Sequence, residues 1–117
     1  MKILLDNCVH RGAAAFFPDH QVTTAAQMGW AELSNGALLS KAAEQFDVLV
    51  TVDKRLRFEQ NLAALPLPVI ELASRDSRIE ALSKLVPHLP QALARTSSFR
   101  FVAVHDDGTT ETLAPKS

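Results

Sequence analysis

The stretch Asp47-Val48-Leu49-Val50-Thr51-Val52-Asp53 limits the possible folds more than any other part of the chain. Of its five central residues four are aliphatic and four β-branched, and they lead directly into the basic run Lys54-Arg55-Leu56-Arg57. An apolar run this short, following a helical pattern, reads as a strand covered on both faces. Strands of that kind belong to parallel sheets with helices on either side, and ligands gather at their carboxyl ends. Asp53 stands at such an end. Met1-Lys2-Ile3-Leu4-Leu5 repeats the design and runs into Asp6.

Around these two strands the pattern alternates. Lys2–Leu5 is a strand, His10–Phe17 a short helix stopped by Pro18-Asp19, and His20–Ala26 a strand rich in β-branched residues. Met28–Glu32 reads as a loop. Ser34 or Asn35 caps a helix reaching about Phe46, with Leu38, Leu39, Ala42, Ala43 and Phe46 at helical spacing. After Val48–Val52, residues 57–65 hold a turn or short helix, and Val69–Leu72 forms a fourth strand. Ser74 or Asp76 caps a helix carrying Ile79, Leu82, Leu85 and Val86. Pro87 and Pro90 interrupt it, leaving a second helical piece near Gln91–Arg95. Phe99–Val104 and Thr109–Leu113, joined through Asp107-Gly108, read as a β-hairpin.

The expected fold is therefore α/β: a three-layer α/β/α domain with a mainly parallel sheet, core order 2-1-3-4, and a C-terminal β-hairpin. At 117 residues the chain suits one domain, with residues 1–96 as the α/β core and 97–114 as the hairpin. A net charge of −1 excludes any global attraction to nucleic acid, so a surface of that kind must be local. The single cysteine, Cys8, excludes an internal disulfide and a multi-cysteine zinc site. No apolar run is long enough to span a bilayer, and Asp6 interrupts the first one too early for a signal peptide. The expectation is a cytoplasmic protein with no membrane partner.

In the order 2-1-3-4 the chain reverses direction across the sheet between strands 1 and 3, the two that end in Asp6 and Asp53. Neighbouring strands lie about 4.8 Å apart, which brings both carboxylates within reach of one divalent cation. Mg²⁺ or Mn²⁺ suits such an all-oxygen site, and an ion of this kind activates a water and neutralises charge on a phosphate. The competing reading is that each aspartate caps the turn that follows it.

The same residues carry a resemblance. Lys2-Ile3-Leu4-Leu5-Asp6-Asn7, together with Val48–Asp53 and Lys54-Arg55-Leu56, resembles the compact PIN-like domains over Met1 to Leu72. Those domains are related to VapC-type toxin ribonucleases and often sit in bacterial toxin–antitoxin gene pairs. The resemblance implies a metal-dependent nuclease that hydrolyses RNA, with Asp6 and Asp53 as the Mg²⁺ or Mn²⁺ ligands. It also implies a cognate antitoxin protein as partner. Two positions depart from the pattern. Asn7 stands where these domains often have glutamate, and Ser34-Asn35-Gly36 stands where an acid often begins the second helix. Asn7 and Asn35 can hydrogen-bond near the site but add no negative charge, so Mg²⁺ affinity should fall. That loss of acidity favours a second function class, a PIN-like module that binds a protein partner or RNA without cutting it.

Glu32, in the loop after strand 2, is the candidate third carboxylate, against the simpler reading of a solvated loop charge. Lys54, Arg55 and Arg57 are candidate RNA-phosphate contacts, with Arg11 and Arg75 at the same rim, against a solvated charge run. Trp30 either stacks a base, anchors a partner or covers the core. Cys8 reads as a packed thiol. A receiver-type phosphoacceptor shares the layout of acids, but it requires a lysine after a fifth parallel strand, and the final strands read as a hairpin instead. The hairpin's alternating pattern suits an added sheet edge or pairing with a second copy in a homodimer.

Overall fold

The computed structural model describes residues 1–116. Five strands run parallel: β1 (Lys2–Leu5), β2 (Gln21–Thr24), β3 (Val48–Thr51), β4 (Val69–Ala73) and β5 (Phe99–His105). A sixth, β6 (Thr110–Pro115), pairs antiparallel with β5, giving the order β2-β1-β3-β4-β5-β6. The expected 2-1-3-4 core and the hairpin are both present. The switch point lies between β1 and β3.

The hairpin extends the sheet, because β5 pairs in parallel with β4 from Val69↔Phe101 to Ala73↔His105. Phe101, Val102, Ala103 and Val104 are all fully buried, as in a strand covered on both faces. A fifth parallel strand therefore exists. It ends in His105-Asp106, with no lysine there, so the receiver-type arrangement lacks its cation.

Side chains alternate across the sheet and build two cores. On one face Ile3, Leu5, Val48, Val50, Ile70, Leu72, Val102 and Val104 pack with Ala13, Phe17, Leu82, Leu85, Leu89 and Leu93. Ala13 comes from a 3₁₀ helix at Arg11–Phe16 and Phe17 caps its end, while the four leucines come from α3 (Ile79–Leu82), a 3₁₀ stretch at Ser83–His88, and α4 (Leu89–Arg95). On the other face Leu4, Leu49, Val69, Phe101 and Ala103 meet Leu38, Leu39 and Ala42 of α1 (Asn35–Ala43) and Leu56 of α2 (Leu56–Glu59). These are the three expected layers.

Helix boundaries follow local chemistry. Ser34 caps α1, its Oγ accepting from the Ala37 N–H at 3.3 Å. Pro90 falls in the first turn of α4, where its missing N–H costs nothing. Neither Ser74 nor Asp76 caps α3: the cap position is Arg78, without a side-chain bond. Asp76 instead accepts from the Arg78 N–H at 2.9 Å in the turn before it. Hydrogen bonds from the Arg78 side chain and N–H hold the Asp76 carboxyl down at about 2. Among the described residues no helix is long and apolar enough to cross a membrane.

The hairpin loop spans Asp106, Asp107 and Gly108. The Gly108 N–H donates to the His105 carbonyl at 2.9 Å, with Gly108 at φ 87. This is a type I turn closed by a left-handed residue, a geometry that favours glycine. A Cβ at Gly108 would also stand 2.8 Å from the His88 ring. Gly108→Ala is expected to lower stability by about 1–2 kcal/mol, read from the urea midpoint with an unchanged slope. Adding His88→Ala should recover the steric part and leave the backbone part.

Candidate active site at the ends of β1 and β3

Strand register brings the first pair together. Leu4 lies opposite Leu49 and Leu5 opposite Val50, so the next step sets Asp6 beside Thr51. Period-two alternation turns both toward the α1 face, with Leu4 and Leu49. The Thr51 hydroxyl donates to Asp6 Oδ2 at 2.8 Å, and the Asn7 N–H donates to Asp6 Oδ1 at 2.7 Å. Asp6 is 6% exposed and Thr51 is fully buried. The same threonine oxygen accepts from the Asp53 N–H at 3.0 Å. Thr51 thus ties the ends of β1 and β3 through one hydroxyl.

Asp53 is the outer carboxylate. Its Oδ1 accepts from the Arg55 N–H at 2.9 Å, and its Oδ2 has only a long contact, 3.4 Å, from the Asn35 amide. Burial opposes its ionisation, but bonds from the Arg55 N–H, the Asn35 amide and the Arg55 guanidinium outweigh that and hold its pKa below the ordinary aspartate value. The two acids border neighbouring depressions. Asp6 opens beside Asn7, Arg11 and Thr24, whereas Asp53 opens beside Cys8, Lys54, Arg55, Ser74 and Arg75.

The remaining candidates divide. Asn7 turns its amide toward the Ala31 carbonyl at 3.2 Å, tying the β1 end to the loop that carries Trp30. Asn35 reaches Asp53 from the start of α1. Glu32 is exposed and makes no hydrogen bond among the described residues. Lys54 and Arg55 are exposed beside Asp53, and Arg11 is exposed at the Asp6 depression. Arg57 is turned to another task. Its guanidinium pairs with Glu71 at 3.3 Å and Glu111 at 3.2 Å and lies 5.2 Å from the Phe101 ring centroid. Trp30 covers the core, edge-on to Phe46 at 6.1 Å.

Cys8, expected to be packed, is exposed, with its sulfur 3.5 Å from both Asp6 Oδ2 and the Thr51 hydroxyl. Partial burial of the sulfur, reinforced by the Asp6 charge and only partly offset by Thr51, pushes the thiol pKa up. A neutral thiol beside a carboxylate is a poor nucleophile and a poor ligand.

The donor set fits a hard cation. Asp6, Asp53 and the amide oxygens of Asn7 and Asn35 are all oxygen donors, and Mg²⁺ needs only one or two carboxylates when waters and substrate phosphate complete its shell. Two charges make a weak site. Among the described residues no three His, Cys, Asp or Glu side chains converge as a metal cluster.

Thr51 was not singled out as a site residue, although its position two residues before Asp53 was the available signal. Thr51→Val keeps the shape but leaves the Asp53 N–H without its acceptor and Asp6 without its hydroxyl donor. Loss of about 1–3 kcal/mol is expected in chemical denaturation, with Thr51→Ser close to wild type.

Comparison of the chain with protein-family models, with curated proteins and with solved structures returns no match.

Proposed function

We propose that this chain is a PIN-like metal-dependent ribonuclease that hydrolyses RNA phosphodiesters, and that it serves as the toxin of a bacterial toxin–antitoxin pair. The observation that carries the catalytic reading is the placement of Asp6 and Asp53 past the ends of neighbouring parallel strands at the switch point of the sheet, where the Thr51 hydroxyl donates to the Asp6 carboxylate and accepts from the Asp53 backbone N–H. The toxin assignment and an antitoxin partner rest on the resemblance of the two strand-end motifs.

When bound, Mg²⁺ or Mn²⁺ would supply an activated water and neutralise charge on the phosphoryl oxygens. Asp6 and Asp53 would hold it. Thr51 and the Asn7 N–H fix the Asp6 carboxylate in one orientation, so no reorganisation is needed when substrate arrives. The bonds from Arg55 and Asn35 keep Asp53 ionised. Lys54 and the Arg55 side chain, exposed beside Asp53, receive the phosphates that flank the scissile one. The purified chain is expected to cut a single-stranded RNA reporter with Mg²⁺ or Mn²⁺ and to stop in EDTA. Undiminished cleavage in EDTA would contradict this.

A second reading has its own support. Asn35 sets a neutral amide against Asp53 and Asn7 commits its amide to the Ala31 carbonyl, at positions where the resemblance leads one to expect acids. A module that binds RNA or a protein partner without hydrolysis needs no further charge. RNA binding without cleavage at millimolar Mn²⁺ would decide for it.

A further inference from the structure

We propose that Phe58 is a base-stacking platform for the RNA at this site. The inference rests on the ribonuclease reading above and adds a residue that positions the substrate. α2 begins three residues after Asp53 and turns Leu56 fully into the core. Phe58, two positions on, lies about 200° around the helix and is 83% exposed. Among the described residues only Met1 joins it as an exposed large apolar side chain.

Its surroundings select the occupant. Lys54 borders both the depression that holds Asp53 and the one that holds Phe58, so a single surface runs from Asp53 to the ring. Lys54 makes no ion pair among the described residues, whereas the neighbouring Arg57 is neutralised by Glu71 and Glu111. A free cation between an exposed aromatic ring and a phosphate-cutting site matches one strand of nucleic acid: a base on Phe58, a phosphate on Lys54, the next phosphate at the acids. A docking protein would call for more apolar surface around the ring, but Ala73 is the one other apolar residue lining its depression, beside Lys54, Arg57, Glu71 and His105. Paired bases stay stacked within a duplex and cannot lie on the ring.

The test is fluorescence anisotropy of a labelled RNA of about ten nucleotides with the full chain in EDTA, where no cutting occurs, beside a cleavage assay in Mn²⁺. Phe58→Ala should weaken single-strand binding about tenfold or more, and Phe58→Trp should restore it. The thermal midpoint of both variants should stay at the wild-type value, because the ring is exposed. The same RNA as a duplex should bind more weakly and be indifferent to Phe58→Ala. If the wild type binds and cuts RNA while Phe58→Ala does so equally well, the stacking inference falls and the ribonuclease reading stands. If the wild type neither binds nor cuts RNA, both fall. If Phe58→Ala instead turns a dimer into a monomer in light scattering with RNA affinity unchanged, the ring is a self-association contact and the inference is overturned.

Discussion

Asp53→Asn is expected to reduce metal-dependent RNA cleavage by at least about a hundredfold while leaving the fold intact. The substitution removes half the negative charge of the proposed cation site and changes almost no volume. Asp53 is the better of the two acids for this test because its role in the fold is slight. The bond from the Arg55 N–H can pass to an asparagine oxygen, and the Asn35 contact at 3.4 Å is long. Asp6→Asn should abolish cleavage as well, but it is less clean. Asp6 is 6% exposed and accepts from the Asn7 N–H on one oxygen and the Thr51 hydroxyl on the other, and an amide nitrogen cannot accept from either. A stability loss of about 1–3 kcal/mol should accompany it. Glu32→Gln is the companion variant: an exposed side chain with no hydrogen bond should leave the rate unchanged.

Arg57→Ala is expected to give the largest loss of stability, about 3 kcal/mol. Arg57 joins α2 to β4 and β6, through Glu71 at 3.3 Å and Glu111 at 3.2 Å, with 17% of its side chain exposed. Glu71 is 3% exposed, so truncating the arginine strands a carboxylate inside the fold. The lower end of the range for a broken buried pair is appropriate, because Glu111 is 38% exposed and water screens that half. Arg57→Met combined with Glu71→Leu should regain most of the loss, since it removes both charges together.

The pH dependence has a definite sign. Hydrogen bonds from Arg57 and then His105 hold the Glu111 pKa below its ordinary value. A depressed carboxylate contributes stability above its unfolded pKa and loses it as pH falls through the folded one. The wild type should therefore lose stability across the acid range below the ordinary glutamate value, and in Arg57→Ala the part due to Glu111 should flatten. Urea melts at a series of acid pH values check it.

The sheet was legible because β1 and β3 are short apolar runs ending at polar residues, and a run of that kind has few ways to be buried. The parallel pairing of β5 was not. Phe99–Val104 followed by Asp107-Gly108 is fully explained by a hairpin, and nothing local tells that its other edge meets β4 across a long helical connection. The placement of Asp6 and Asp53 just past their strands was legible for the same reason as the strands themselves. Thr51 was readable from the two-residue period that also sets Asp53. Arg57 was not, because its partners lie 14 and 54 residues away, and local sequence shows only a basic run. Cys8 was read as packed from its residue type, whereas its place past the end of β1 leaves it at the rim of a depression.

Titration of the chain with Mn²⁺, followed by loss of the free-ion electron paramagnetic resonance signal, tests whether Asp6 and Asp53 together hold one divalent cation. A single weak site per chain is predicted, lost in Asp53→Asn and kept in Glu32→Gln. Absence of saturable Mn²⁺ binding, or binding undiminished by Asp53→Asn, would contradict it.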